Sequence, residues 1–223
     1  RNLTAEEIVE QVLFFARHLK KHGGKKVTNV VYMGMGEPFL NYDNVLASIR
    51  MLNDKDGLNI GARKISVSTI GVIDGIKKLA RENLEINLAV SLHAPNTNLR
   101  SRLVPADRHY PFKDILRAVD DYIKKTSRRV MFEYILLKGV NDSPKHAREL
   151  AKLMRKPLRF VNLIAYNPTN QKNERQRFLP SSSKDINKFK KILKEAGVPV
   201  SQRYRFGRKI RAACGQLAAR MDA

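Results

Sequence analysis

Six short apolar runs, rich in valine, isoleucine and leucine, recur along the 223 residues with amphipathic stretches between them. A short apolar run able to bury both faces reads as a strand of a parallel sheet, and each parallel pair needs a crossover, supplied here by a helix. The pattern predicts strands over 27–34, 64–71, 86–94, 130–138, 159–167 and 200–206, the first of them buried. Between them it predicts helices over 42–52, 72–81, 111–125, 144–155 and 183–196. A further helix opens the chain. Thr4-Ala5-Glu6-Glu7 is a capping-box pattern, Ile8, Val12, Phe15 and Leu19 follow at helical spacing, and Gly23-Gly24 ends the run. No linker or repeat interrupts the alternation, so one α/β domain over 1–223 is expected, either an open barrel or a doubly wound sheet. In both, ligands sit where strands end in loops.

Charge narrows the partners. Lysine and arginine number 43 against 21 acidic residues, a net charge of +22. Such an excess works against the compact state by self-repulsion and is matched to an anionic partner, nucleic acid first and an anionic membrane surface second. Basic residues cluster at 20–26, 124–129, 172–177 and 203–211, and the last two clusters carry Phe178, Tyr204 and Phe206 among the cations. Cations interleaved with aromatics suit a phosphate backbone with unstacked bases. No stretch has the roughly 18 apolar residues of a membrane span. One cysteine excludes a disulfide scaffold and fits a reducing compartment. Residue 1 is arginine and the first helix starts at once, with neither signal- nor transit-peptide pattern; a chain lacking its beginning is expected.

The strand ends carry the polar residues. Gly34-Met35-Gly36-Glu37-Pro38 follows the first strand; the glycines admit a ligand to the backbone and Glu37 can accept from an ammonium group. It is not a Walker loop, since no Gly-Lys-Ser/Thr follows. Ser66-Val67-Ser68-Thr69 and Ser91-Leu92-His93-Ala94-Pro95-Asn96 end the next two strands, and Tyr166-Asn167-Pro168 closes a later one. Together they outline a pocket for a polar molecule with an amine, a carboxylate and hydroxyls. Cys214, in Ala212-Ala213-Cys214-Gly215-Gln216-Leu217, follows Arg208, Lys209 and Arg211, which favour its thiolate. No His-Cys or Cys-x-x-Cys arrangement provides a metal site.

The motifs GMGEP, STIG (68–71), LAVSLHAPN (88–96), LKGVND (137–142), LIAYNP and AACGQL resemble, in this order, the RlmN/Cfr family of radical S-adenosylmethionine (SAM) enzymes that methylate adenosine in RNA. The resemblance implies a partial (β/α)6-type barrel with parallel strands. It implies that Gly36 and Glu37 hold the SAM methionine amine, that Ser68, Ser91, Leu92, His93 and Asn167 make the other SAM contacts, and that Cys214 carries a methyl group during turnover. The implied reaction is methylation of adenosine C2 in 23S rRNA and in the tRNA anticodon loop, in the cytoplasm, with flavodoxin or ferredoxin as electron donor. The family's Cys-x-x-x-Cys-x-x-Cys motif, which binds a [4Fe-4S] cluster, would precede Arg1 and is not among these residues. Two alternatives stay open: methylation of the same rRNA adenosine at C8, the Cfr activity, and a non-catalytic RNA- or SAM-binding module.

Overall fold

The computed structural model describes residues 1–168 and 178–203. Six strands form one sheet in the order β1-β2-β3-β4-β5-β6: Val30–Tyr32, Ile65–Thr69, Asn87–Ser91, Val130–Leu136, Arg159–Ala165 and Val200–Gln202. Every neighbouring pair is parallel. A doubly wound sheet reverses strand order at a switch point, and this one never does, so the open-barrel alternative holds. The sheet also curls. Arg203, just past β6, donates from Nη1 to Met33 Sδ, just past β1, at 3.6 Å. In a flat sheet those edges, five strand spacings apart, would lie about 24 Å from each other.

Local rules place the helices. In α1 (Ala5–Lys21) the capping box is complete: Glu7 N–H donates to Thr4 Oγ1 at 3.3 Å and Thr4 N–H to Glu7 Oε2 at 2.9 Å. Ser143 caps α6 (Pro144–Met154), which has proline in its first turn, and Ser182 caps α7 (Ser183–Glu195). Remaining crossovers use α2 (Tyr42–Asn53), α3 (Ile73–Leu79) and α5 (Phe112–Thr126). Side chains alternate across the sheet. Ile65 and Val67 of β2, Leu88 and Val90 of β3, and Phe132 and Tyr134 of β4 belong to the buried apolar core. The opposite face of the same strands carries Ser66, Ser68, Ser91 and Glu133.

Two expectations need correction. The strand expected buried over 27–34 is only Val30–Tyr32, and Val31 is 52% exposed. It is the sheet's edge among the described residues, with a neighbour on one side alone, so its inner side chain lacks a partner strand. A helix that the pattern did not predict, α4 (Thr97–Leu103), follows β3. Its seven residues are too short to show a period. Its signal was Asn96, whose side chain accepts from Leu99 N–H at 3.0 Å. The last predicted strand ends at Gln202, and residues 204–206 lie outside the described residues.

Gly75 in α3 packs directly on the Phe39 side chain. A Cβ added there would meet Phe39 Cγ at 2.4 Å. Gly75→Ala gains about 1 kcal/mol of helix propensity, but overpacking at such a contact costs about 1–3 kcal/mol. Net destabilisation is expected in urea unfolding. Unchanged or increased stability would show that Phe39 moves aside freely.

Candidate functional site

The first strand-end loop is built around a carboxylate. Gly36 has φ +84°, a left-handed conformation that penalises any side chain although open space surrounds it. That turn delivers Glu37, and Pro38 opens the 3-10 turn Pro38–Asn41. Glu37 Oε1 accepts from Phe39 N–H at 3.0 Å, and Oε2 accepts from Ile70 N–H, in the loop after β2, at 2.7 Å. Burial pushes the carboxyl pKa up, and these two N–H donors oppose the shift. A half-buried acid in this balance gains most from a cationic ligand. It borders an open cleft of about 530 Å³ along the β1 edge, lined also by Leu3, Ile8, Val12, Val31 and Met33.

Hydroxyls and an imidazole come from the next two strand ends. Ser68 Oγ and Ser91 Oγ lie 3.4 Å apart, both half-buried. Past Ser91 the backbone bends: Leu92 N–H and His93 N–H share the Glu133 carbonyl at 3.0 and 3.2 Å, and His93 has φ +58°. Asn141, fully buried, fixes that bend by donating to His93 O at 2.9 Å and Ile135 O at 2.7 Å while accepting from Leu137 N–H. His93 Nδ1 accepts from Ile135 N–H at 3.2 Å, which leaves the ring proton on Nε2. Burial, aided by the charge of Arg100, lowers the imidazole pKa to about 4. His93 is therefore neutral at pH 7 and offers a hydrogen bond without a charge.

Below these loops a polar row crosses the inner face. Register aligns Ser91 with Glu133, Glu133 with Asn162, and Asn162 with Ser201. Asn162 Nδ2 donates to both Glu133 oxygens, at 3.2 and 2.9 Å, and Ser201 Oγ donates to Asn162 Oδ1 at 2.6 Å. Burial raises the Glu133 pKa, against the nearby Arg203 and the Asn162 amide. Arg203, expected at a phosphate backbone, is half-buried and turns inward to Met33 and Glu133.

Of the residues expected at the site, Gly36, Glu37, Ser68, Ser91, Leu92 and His93 gather at the carboxyl ends of β1, β2 and β3. Leu92 is there through its backbone, since its side chain is fully buried. Asn167 lies two residues past β5, half-buried, on the same rim. Cys214 and the cations of 172–177 and 205–211 lie outside the described residues. Sequence reasoning missed Glu133, Asn162, Asn141 and Arg100. A charged or amide residue in the middle of an apolar strand was the available signal for Glu133 and Asn162.

Residues 1–154 match the family model of the radical SAM superfamily. The chain belongs to the radical SAM superfamily. It is 48% identical over 219 residues to the "Probable dual-specificity RNA methyltransferase RlmN" of Dictyoglomus thermophilum, covering 98% of this chain and 62% of the relative. It is 49% identical to the "Ribosomal RNA large subunit methyltransferase N" of Nitrosopumilus maritimus, over 97% of this chain and 60% of that one. The crystal structure of a radical SAM methyltransferase from Sphaerobacter thermophilus superposes with a TM-score of 0.91 at 49% identity, covering 97% of this chain and 62% of that one. The chain thus spans less than two thirds of the length of these relatives. A more distant structure, Streptococcus suis SuiB bound to SAM, shares the fold, with a TM-score of 0.61 at 14% identity.

Membership implies SAM and a [4Fe-4S] cluster, and the residues treat the two differently. The carboxylate, the paired hydroxyls and the neutral imidazole fit the ammonium and ribose of SAM. The cluster takes thiolate ligands, and the chain has one cysteine; among the described residues no His, Cys, Asp and Glu group could hold a metal. These 223 residues do not fit the cluster.

Two tests follow from this site. Anaerobic reconstitution of this chain should leave it without a stoichiometric four-iron cluster by iron and sulfide analysis; full loading would overturn the ligand assignment. The second concerns His93. It titrates at its ordinary value of 6.5 when unfolded and at about 4 when folded, so between those values the unfolded chain binds the extra proton. Its contribution to stability is complete above pH 6.5 and is lost as pH falls through about 4, at no more than about 1.4 kcal/mol per pH unit. Urea unfolding between pH 7.5 and 4.5 should lose stability less steeply in His93→Asn, a residue that tolerates the left-handed backbone. Equal slopes would mean that His93 is not held neutral.

Proposed function

We propose that this chain is the SAM-binding core of an enzyme that methylates adenosine at C2 in 23S rRNA and in tRNA. The observation that carries this reading is the Glu37 carboxylate, half-buried on its glycine turn and fixed by two backbone N–H groups, with the Ser68–Ser91 hydroxyl pair at the ends of the next two strands. That constellation sits in a chain 48% and 49% identical to proteins named as RNA methyltransferases. Among the described residues no helix is long and apolar enough to cross a membrane, and the cytoplasm, where both RNAs are made and used, is the proposed location.

Roles follow from chemistry. Glu37 binds the ammonium group, and Gly36 lets the backbone approach it. Ser68 and Ser91 take the ribose hydroxyls, His93 donates an uncharged hydrogen bond from Nε2, the Leu92 backbone fixes the bend, and Asn167 closes the far side of the rim. SAM supplies an electrophilic sulfonium carbon. Adenine C2 is an electron-poor ring carbon and cannot displace that methyl directly, whereas a thiolate can, forming an S–CH3 bond as the sulfonium leaves as a neutral thioether; Cys214 is proposed as the residue that carries the methyl group. The net charge of +22 gives the RNA a long-range attraction that salt screens.

Nucleoside mass spectrometry tests the reading. The complete protein, produced in cells lacking their own enzyme, should yield 2-methyladenosine in 23S rRNA and tRNA. Cys214→Ala should abolish the product and retain the fold, and in the unaltered protein the Cys214 peptide should be heavier by one methylene. 8-Methyladenosine would move the chain to the C8 activity; an active Cys214→Ala variant would remove the carrier role.

A further inference from the structure

Arg100, in α4, is fully buried, and its guanidinium divides among three acceptors, the most distant being Tyr110 O at 3.5 Å from Nη1. Nη1 donates to Asp107 Oδ1 at 2.5 Å, and Nη2 donates to Ile70 O at 2.6 Å. Asp107, in the 3-10 turn Pro105–Arg108, is also buried and takes a second hydrogen bond from Ser101 Oγ. The same Ile70 donates its N–H to Glu37 Oε2 at 2.7 Å. Both backbone polar groups of Ile70 are thus held by side chains, the Glu37 carboxyl from the loop after β1 and the Arg100 guanidinium from α4. The flanking turn is closed by Thr69 Oγ1, which accepts from Gly71 N–H at 3.0 Å and Val72 N–H at 3.1 Å.

Stability alone accounts poorly for this arrangement. Burying an ion pair costs several kcal/mol per ion in desolvation, so apolar residues of similar volume often do as well or better. Arg100 Nε also lacks a hydrogen-bond partner, a cost that Arg159 Nε shares. What a guanidinium offers and an apolar residue cannot is a fixed fork, able to hold Asp107 and the Ile70 carbonyl in one geometry.

We propose that Arg100 is a positioning residue for the aminopropionate end of SAM, holding Glu37 in place through the backbone of Ile70. This rests on the reading above in which Glu37 binds the ammonium group. Asp107 serves as the counter-ion that keeps the fork oriented. The chain Asp107–Arg100–Ile70–Glu37 couples the loops after β3, β2 and β1, so a disturbance in α4 reaches the ammonium subsite through Ile70, while the charge of Arg100 also acts on His93.

The experiment is a comparison of two ligands by calorimetry in the complete protein. SAM carries the aminopropionate group; 5′-methylthioadenosine keeps the nucleoside and sulfur but lacks it. The variant Arg100→Met/Asp107→Leu removes both charges together and strands neither. It is expected to weaken SAM by about tenfold, the scale of one hydrogen bond, while leaving methylthioadenosine within about twofold. Arg100→Lys, which keeps the charge and loses the fork, should show the same contrast and serves if the double variant does not fold. A purely structural role predicts equal weakening of both ligands, or none, and either result overturns the proposal. Glu37→Gln separates the two readings. If it binds SAM as the unaltered protein does, the assignment of Glu37 itself fails. If it loses SAM while the Arg100 variants do not, the positioning role alone fails.

Discussion

A curled parallel sheet has an inside, and the polarity of this inside governs the rest of the molecule. The helices cover the outer face and satisfy its apolar side chains. Among the described residues the inner face has only itself, and the contact from Arg203 to Met33 brings the two edges of the rim together. An apolar lining would have filled it, as in closed barrels. Here Ser91, Glu133, Asn162 and Ser201 stand in one row, and each finds its partner on the neighbouring strand or in the next layer. Buried polar groups left unpaired cost more than they return, so such a row holds only in register. Register thereby fixes the heights at which the strand ends present Glu37, Ser68, Ser91 and His93.

Two buried arginines mark the two ends of this sheet and do different work. Arg159, at the start of β5, donates to Leu153 O at 2.6 Å, pairs with Asp120 and lies over the Phe132 ring. It ties α5, α6 and the sheet at the amino ends of the strands, where barrels keep their stability. Arg100 sits at the carboxyl ends, and its partners belong to loops. The same residue type is a rivet in one place and a brace for a binding loop in the other, and only the position along the strand axis distinguishes them.

The alternation of runs gave away the parallel sheet, and polar residues at strand ends gave away the rim, because both follow from local periodicity. The rest depends on contacts far apart in sequence. Arg100 reads as one more surface cation in TNLRSRL; nothing local says that it reaches Ile70, 30 residues back. The edge strand Val30–Tyr32 reads as buried because Val27, Val30 and Val31 are apolar, and apolar character does not reveal how many neighbours a strand has. Glu133 could have been suspected within VMFEYIL, but its amide partner sits one strand over, at the same offset in RFVNLIA. The motif resemblance named seven candidate residues that lie on one rim, Asn167 among them; it could not show what holds them.

Glu37 and His93 illustrate why the holding matters. Both are pushed by burial toward the neutral form, the acid upward and the imidazole downward. The imidazole has no compensating anion and stays neutral, which suits a donor beside a cationic ligand, because a second positive charge there would repel it. The carboxylate has two N–H donors that offset part of its burial and stop short of what a full counter-charge would supply. On the proposed reading, an ammonium group would complete the set, and its own desolvation would be offset by the same contact. That balance holds only while Oε2 stays at 2.7 Å from the Ile70 nitrogen. If the loop after β2 drifts, that donor is lost and burial acts on the carboxyl with less to oppose it. The placement of this carboxylate is therefore a property of the backbone between β2 and α3, and of whatever fixes that backbone in place.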